Sequence, residues 1–233
     1  MHSVYTKAVP VLKKLDFDGQ LLQKTYKREQ AASQMSRLQR AFPNVHGLDD
    51  TCRLPVLIAL SYYPELRHAT IVVKRKKIRT TMVARPLLKA LFKKKNKHYE
   101  LVINNDPGFK GVPFADVPFN AKIGVVGHEL AHFLDYEHKN NFQLLRTLFQ
   151  YLYKKGRTRY EHAIDYLTIF KGLGWQLKDW AQWSMYDSPA DEGYKQFKRS
   201  VYLGPREIHT HIERLVQKNG GTFPKDNISS HLP

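Results

Sequence analysis

Hydrophobic and polar positions divide the chain into a helical beginning, a β-rich middle and a helical end. Apolar residues recur at helical spacing in residues 19–42 and 48–63, which predicts two helices. Three short runs rich in β-branched residues follow, and they predict strands at residues 69–73, 78–84 and 99–104. The basic stretch 74–77 is predicted to be a turn between the first two strands. Helical spacing then returns from residue 123 and continues, with breaks, to residue 218.

This order of elements predicts an α+β fold with three segments. Residues 1–66 are a helical accessory region, residues 67–138 contain a small sheet and a central helix, and residues 139–233 are a helical subdomain. Residues 106–119 are rich in Gly and Pro, which predicts a loop between the last strand and the central helix. Asn120 is the predicted N-cap of that helix.

The central helix, predicted over residues 123–136, carries chemistry on its polar face. It contains the pattern His-Glu-x-x-His at His128, Glu129 and His132. Residues four apart share a helix face, so the two imidazoles can bind one metal ion. Glu129 lies about 100° round the helix from His128, within reach of a water on that ion. The apolar residues of the opposite side are Ile123, Val126, Gly127, Leu130, Phe133 and Leu134.

A catalytic zinc ion needs a third protein ligand and an open fourth position. Glu161 and Asp165 follow in a second predicted helix and are again four residues apart. One carboxylate can bind the metal while the other accepts a hydrogen bond from a ligand histidine. The sequence therefore predicts a Zn²⁺ site built from two helices.

The two motifs, His128-Glu129-x-x-His132 and Glu161-x-x-x-Asp165, resemble those of the gluzincins, the zinc metallopeptidases that include thermolysin and the minigluzincins. The resemblance implies a zincin-like core and a metalloprotease, a hydrolase that cleaves peptide or protein substrates. It also implies that zinc is bound by His128, His132 and Glu161. Glu129 is then the general base, and Asp165 orients a ligand histidine.

In gluzincins the strand before the zinc helix lines the cleft and pairs with an extended substrate. The resemblance therefore assigns substrate binding to residues 99–104, with Tyr99, Leu101 and Ile103. Gluzincins usually add a downstream Tyr, His or Arg that binds the oxyanion. The spacing leaves five candidates open: Tyr186, Tyr194, Tyr202, His209 and His211.

A second class of zinc peptidase, the metzincins, takes its third ligand from a histidine six residues after the second one. His138 occupies that position. Metzincins need Gly where this chain has Asp135, since their helix breaks there with positive φ. Their Met-turn has Tyr two residues after Met, whereas Met185 is followed directly by Tyr186. His138 is therefore predicted to be a surface histidine just beyond a helix end.

The net charge of +17 is concentrated in residues 67–99, where 12 Lys or Arg residues occur without an Asp or Glu. Pro86 opens a predicted short helix in this block, over residues 86–95. Such a block either attracts polyanions or forms a solvated hairpin and helix face that keep the protein soluble. The alternative function is a non-catalytic zinc protein that binds nucleic acid or another polyanion. The intact Glu129 favours the enzyme, since a protein without catalysis has no chemical need of a base.

The remaining composition predicts a globular protein without a membrane span. Hydrophobic residues make up 42% of the chain, but no run reaches about 18 apolar residues. The first residues lack the apolar core of a signal peptide. The lone Cys52 excludes an internal disulfide and fits a reducing compartment, which predicts a cytoplasmic location. Residues 222–233 are polar and predicted to be extended.

Overall fold

The computed structural model describes residues 5, 8–13, 23–86 and 98–218. The predicted α+β class is confirmed, because helices surround one small mixed sheet. Three sequence-based predictions fall outside the described residues, wholly or in part. They are the helix at residues 86–95, the extended end at residues 222–233 and the first part of the helix at residues 19–42.

One four-stranded sheet lies in the middle of the described chain. The strands are β1 at Val45–His46, β2 at Thr70–Lys76, β3 at Met82–Pro86 and β4 at His98–Asn104. Their order across the sheet is β1-β2-β4-β3. β1, β2 and β4 are parallel, whereas β3 is antiparallel to β4 and forms one edge. The three predicted strands are thus present with shifted bounds, and β1 was not predicted.

The predicted turn at residues 74–77 is wrong, because β2 continues to Lys76. The ammonium groups of Lys74 and Lys76 both pair with the carboxylate of Glu100 on β4, the second at 3.2 Å. Opposite charges on neighbouring strands stabilise extended backbone. The local pattern showed only the basic residues and not their acidic partner on another strand.

β4 occupies the middle of the sheet, with β2 paired to one side and β3 to the other. The prediction that Tyr99, Leu101 and Ile103 belong to a substrate-pairing strand is therefore wrong, since both edges of β4 are already used. All three side chains are buried. The continuous apolar run reflects a strand that is covered on both faces. β3 has no further strand beside it among the described residues.

Nine α-helices are formed by the described residues. They are α1 at Arg28–Ala32, α2 at Met35–Ala41, α3 at Arg53–Ser61, α4 at Phe119–Glu137, α5 at Asn141–Leu152, α6 at Lys154–Thr168, α7 at Gly174–Gln182, α8 at Glu192–Val201 and α9 at Pro205–Lys218. A π-helical turn at Ile169–Leu173 joins α6 to α7. Gly172 in this turn has a φ of 96°, a left-handed conformation that favours glycine and redirects the chain.

α4 is the central helix and is buried along most of its length. It packs against α3, α6, α7 and β3. Its closest neighbour is α7, because a Cβ on Gly124 would lie 2.1 Å from the carbonyl oxygen of Gln176. A Cβ on Gly127 would likewise lie 2.5 Å from Leu173 Cδ1. The absence of a side chain lets α4 lie against the backbone of α7 at Gly124 and makes room for the Leu173 side chain at Gly127.

Residues of the N-terminal segment fix the back of α4. The Tyr63 hydroxyl donates to the carbonyl oxygen of Gly127 at 2.7 Å. Asn120 accepts from the Tyr26 backbone N–H at 3.0 Å and donates to Asp179 of α7 at 2.6 Å. The prediction of Asn120 as the N-cap is therefore wrong. α4 begins at Phe119, and Pro118 at the N-cap position makes no side-chain cap, whereas Asn120 joins the N-terminal segment to α7.

One cluster of buried apolar side chains extends through all three predicted segments. Cys52 is part of it, at the start of α3. The loop before α4 contributes Val112 and Phe114, so much of it packs against the core. Within residues 5, 8–13, 23–86 and 98–218, no helix is long and apolar enough to cross a bilayer.

Candidate metal centre

Three potential metal ligands from two helices converge at the centre of the fold. α4 contributes His128 and His132, α6 contributes Glu161, and all three are buried. The Nε2 atoms of His128 and His132 lie 3.1 Å and 3.5 Å from Glu161 Oε2. One ligand atom of each residue lies within 4.8 Å of the other two. The fold thus brings together the three residues that the motifs single out.

The spacing of these atoms fits a tetrahedral metal ion. Two ligand atoms about 2.1 Å from such an ion lie about 3.4 Å apart, close to both nitrogen–oxygen separations in this site. Glu161 Oε2 is also a buried carboxylate oxygen without a hydrogen-bond donor. Because buried charges in proteins are normally paired or bound to metals, this oxygen fits a cation between it and the imidazoles.

Asp165, one helical turn after Glu161, holds His128 on the side away from Glu161. Its Oδ1 lies 2.8 Å from His128 Nδ1, and its Oδ2 accepts from the Leu203 backbone N–H at 2.9 Å. Burial alone would lower the pKa of His128, but the Asp165 and Glu161 carboxylates raise it to about 10. Burial would raise the pKa of Glu161, but His132 and His128 hold it well below its usual range. His128 Nε2 is thereby directed at Glu161.

Tyr151 of α5 also belongs to the site, and the sequence patterns did not identify it. Its hydroxyl donates to Glu161 Oε1, which leaves Oε2 facing the two imidazoles. Tyr151 and Glu161 lie on different helices, so neither motif spacing nor the rule for residues four apart connects them. The sequence did indicate that Tyr151 shares a helix face with Leu144 and Thr147, which lie seven and four residues before it and are buried in the structure.

Replacing Tyr151 by Phe removes only the hydroxyl that orients Glu161. Loss of a hydrogen-bond partner of a metal ligand typically weakens metal binding about 10- to 100-fold. We expect a loss in that range for Zn²⁺, measured by competition with a chromophoric chelator. Tyr153→Phe, at an exposed position two residues on, is the matched control and should bind zinc as the wild type does. Equal affinities of the two variants would leave Tyr151 with a packing role only.

Glu129, the residue after His128 on α4, contacts the edge of the sheet. Its side chain is buried, and Oε2 accepts from the Ala84 backbone N–H of β3 at 2.6 Å. The Asn104 N–H donates to the Thr81 carbonyl oxygen, so these two residues form a hydrogen-bonded pair of the antiparallel ladder. Such pairs alternate along β3, and the backbone groups of Met82 and Ala84 therefore point away from β4, to the free side of the strand. Glu129 is therefore held at the free edge of β3.

Of the five candidates for oxyanion binding, Tyr202 lies against the site. Its ring centre is 5.5 Å from that of His128, and Lys198 Nζ lies 4.0 Å from the same tyrosine ring. Burial, followed by the charges of the nearby carboxylates, raises the pKa of Tyr202 well above its usual range. The other four candidates make their contacts with residues outside the trio: Tyr186, Tyr194, His209 and His211.

α4 does not break at Asp135, where a metzincin helix would end. It continues to Glu137, and His138 follows as an exposed residue with Nδ1 2.9 Å from the Leu134 carbonyl oxygen. The Asp135 carboxylate is fully buried and accepts from Lys139 Nζ and from the Tyr160 hydroxyl. The predicted position of His138, beyond a helix end at the surface, is confirmed.

The basic block of residues 67–99 carries less unpaired charge than its sequence indicates. Two lysines of β2 pair with Glu100, and Arg75 Nε donates to Asp49 at 2.8 Å. Burial would raise the pKa of Asp49, but hydrogen bonds from Thr51 and Arg75 hold it well below its usual range. Both acidic partners come from outside the block in sequence. Residues 87–97 of the block lie outside the described residues.

Comparisons with protein-family models, with curated proteins and with solved structures find no match to this chain. The function is therefore inferred from the site's own residues and their geometry.

Proposed function

We propose that the protein is a zinc-dependent metallopeptidase of the gluzincin type with a zincin-like core. The observation that carries the proposal is the buried convergence of His128, His132 and Glu161 beside Glu129. Two histidines and one glutamate are the ligands of thermolysin-type catalytic zinc sites. The edge strand β3, next to Glu129, supports a polypeptide as the substrate.

Zn²⁺ is the ion that this set of donors favours, since imidazole nitrogen and carboxylate oxygen both suit it in tetrahedral geometry. When bound, it supplies a Lewis acid that polarises a carbonyl group and lowers the pKa of water. Asp165 and Tyr151 would orient two of its ligands, His128 and Glu161 respectively.

Glu129 is the general base in this proposal. Its carboxylate takes a proton from the attacking water and then gives that proton to the leaving amine. The Ala84 N–H holds one carboxylate oxygen, which keeps the side chain between the ligand residues and β3. Tyr202 is the residue proposed to stabilise the oxyanion, because of the five candidates it is the one that lies against His128.

An extended polypeptide is the substrate that fits β3. The backbone N–H and carbonyl of Met82 and the carbonyl of Ala84 face its free side, where a peptide can add as a further strand, while the Ala84 N–H is bonded to Glu129. The substrate-binding strand is thus β3 and not β4. The lone Cys52 fits a reducing compartment, so cytoplasmic polypeptides are the proposed substrates.

The alternative, a non-catalytic protein that binds polyanions through residues 67–99, has less support. Glu100 and Asp49 pair with three of the basic side chains of β2, and these pairs compete with an external polyanion. A polyanion-binding protein also has no use for Glu129 beside the metal ligands.

Metal content and hydrolysis together test the proposed enzyme. Purified wild-type protein should contain zinc and cleave members of a mixed peptide library, and a chelator should abolish the cleavage until zinc is restored. Glu161→Ala should lose most of the bound zinc, because two histidines leave the coordination incomplete. His138→Ala, at the metzincin position, is the matched control and should retain it. Zinc retained by Glu161→Ala and lost by His138→Ala would overturn the ligand assignment.

A further inference from the structure

An apolar stripe is exposed along α5. Phe142, Leu145 and Phe149 are 75%, 51% and 57% exposed, and Tyr153, directly after the helix, is 72% exposed. The first three are spaced at i, i+3 and i+7, so they share one face of the helix. These four are all but one of the large hydrophobic side chains that are exposed in the described part of the chain. Such clustering indicates an interaction surface.

The stripe is not the face with which α5 contacts the rest of the protein. The buried face carries Leu144, Thr147 and Tyr151, which lie on the opposite side of the helix. Thr147 accepts from Lys139 Nζ at 2.8 Å, and Tyr151 donates to Glu161. α5 therefore has two apolar faces, and one of them has no covering element among the described residues.

Basic residues surround the stripe. Residues 138–160 include six Lys or Arg and no Asp or Glu. Arg146 lies on the stripe side of α5, and Lys154, Lys155 and Arg159 follow at the start of α6; all four are exposed. Lys139, by contrast, is buried with Asp135. The outer surface of this region is thus apolar and positively charged.

We propose that the α5 stripe docks the protein on an anionic lipid surface, with α5 lying in the plane of the interface. Phe, Leu and Tyr side chains insert at the boundary between headgroups and acyl chains, while Lys and Arg remain at the level of the phosphates. Each basic side chain near an anionic bilayer adds electrostatic attraction. This inference does not depend on the proposed peptidase activity.

A second copy of the chain fits the stripe less well. Two-fold pairing through the same face would bring Arg146, Lys154 and Lys155 of one copy close to the same residues of the other. Like charges at that distance repel, whereas a layer of anionic headgroups neutralises all of them. The charge of the surface therefore favours lipid.

Docking through the stripe would place the candidate metal centre close to the membrane. Tyr151, which orients Glu161, lies on the face of α5 opposite Phe142 and Phe149. The width of one helix, about 10 Å, then separates the lipid from this part of the site.

Vesicle binding by the full chain tests the proposal. Wild-type protein should co-sediment with vesicles of phosphatidylcholine and phosphatidylserine and should bind pure phosphatidylcholine vesicles much more weakly. Phe142→Ser combined with Phe149→Ser should reduce binding to the mixed vesicles by about tenfold or more, because both side chains are exposed and insert only when docked. Tyr186→Ser, which removes an exposed aromatic residue elsewhere, should have no effect.

Two triple variants test whether vesicle binding depends on the basic residues beside the stripe or on positive charge anywhere on the protein. Neutralising three residues beside the stripe to Gln should weaken binding to the mixed vesicles about tenfold or more, whereas neutralising three exposed arginines elsewhere should weaken it much less. The first set is Arg146, Lys154 and Lys155, and the control set is Arg40, Arg67 and Arg79.

Three results would overturn the proposal. The wild type could fail to bind the mixed vesicles at low salt. The double serine variant could bind as well as the wild type while the control arginine set loses binding, which would assign the attraction to charge elsewhere. Sedimentation equilibrium could show a dimer that the serine variant abolishes, with no lipid binding, which would make a second copy the occupant.

Discussion

Replacing Glu129 by Gln should give a folded protein that retains its zinc and hydrolyses peptides at least about 10²-fold more slowly than the wild type. Gln keeps the length of the side chain and an oxygen that can accept from the Ala84 N–H. It lacks the negative charge that accepts a proton. The defect should therefore appear in catalysis and not in metal content or folding.

The measurement is kcat/KM on a peptide selected from the mixed library, together with the zinc content and thermal unfolding of each variant. Glu137→Gln is the matched control, since it removes the same charge from the same helix while leaving an acceptor for the Tyr99 hydroxyl. It should be nearly as active as the wild type. Equal rates for Glu129→Gln and the wild type would exclude Glu129 as the base. A zinc-loaded wild type that cleaves nothing would end the peptidase proposal.

Replacing Asp135 by Ala should destabilise the protein by about 3–5 kcal/mol, measured by chemical denaturation. Asp135 is fully buried, where its carboxylate accepts from Lys139 Nζ and from the Tyr160 hydroxyl, the latter at 2.6 Å. Without this carboxylate, the buried ammonium group of Lys139 has no opposite charge beside it. Breaking a buried ion pair in this way costs far more than loss of a surface pair.

Removing both charges should recover much of the loss. Asp135→Ala combined with Lys139→Met should be less destabilised than the sum of the single variants, which a double-mutant cycle measures. Burial already lowers the pKa of Lys139, and loss of Asp135 should lower it further. The unfolded chain then binds more protons than the native state, so the deficit of Asp135→Ala should shrink as the pH rises towards about 10.4. Additive effects of the two substitutions, or a deficit independent of pH, would contradict this account.

The parts of the site that could be predicted from sequence are those set by the geometry of single helices. His128 and His132 share a face because they are four residues apart, and the same rule pairs Glu161 with Asp165. Their convergence followed from the chemistry of zinc, which needs a third ligand. Local spacing was sufficient for each pair.

The parts that could not be predicted depend on contacts between distant segments. Tyr151 reaches Glu161 from another helix, and Ala84 reaches Glu129 from an edge strand. The order of strands was also beyond the sequence pattern, because β4 lies between β2 and β3 and takes the central place. The same limitation explains the error at Asn120, whose partners Tyr26 and Asp179 are far away in the chain.

The close contact between Gly124 and Gln176 bears on which elements a transplant of this site to another scaffold must include. Grafting the His-Glu-x-x-His sequence alone would supply two imidazoles on a helix of undefined depth. In this chain the position of α4 relative to α7 is set by close packing: a Cβ on Gly124 would come within 2.1 Å of the Gln176 carbonyl oxygen of α7. The smallest unit that could be transplanted is therefore α4 with α5, α6, α7 and the edge strand β3.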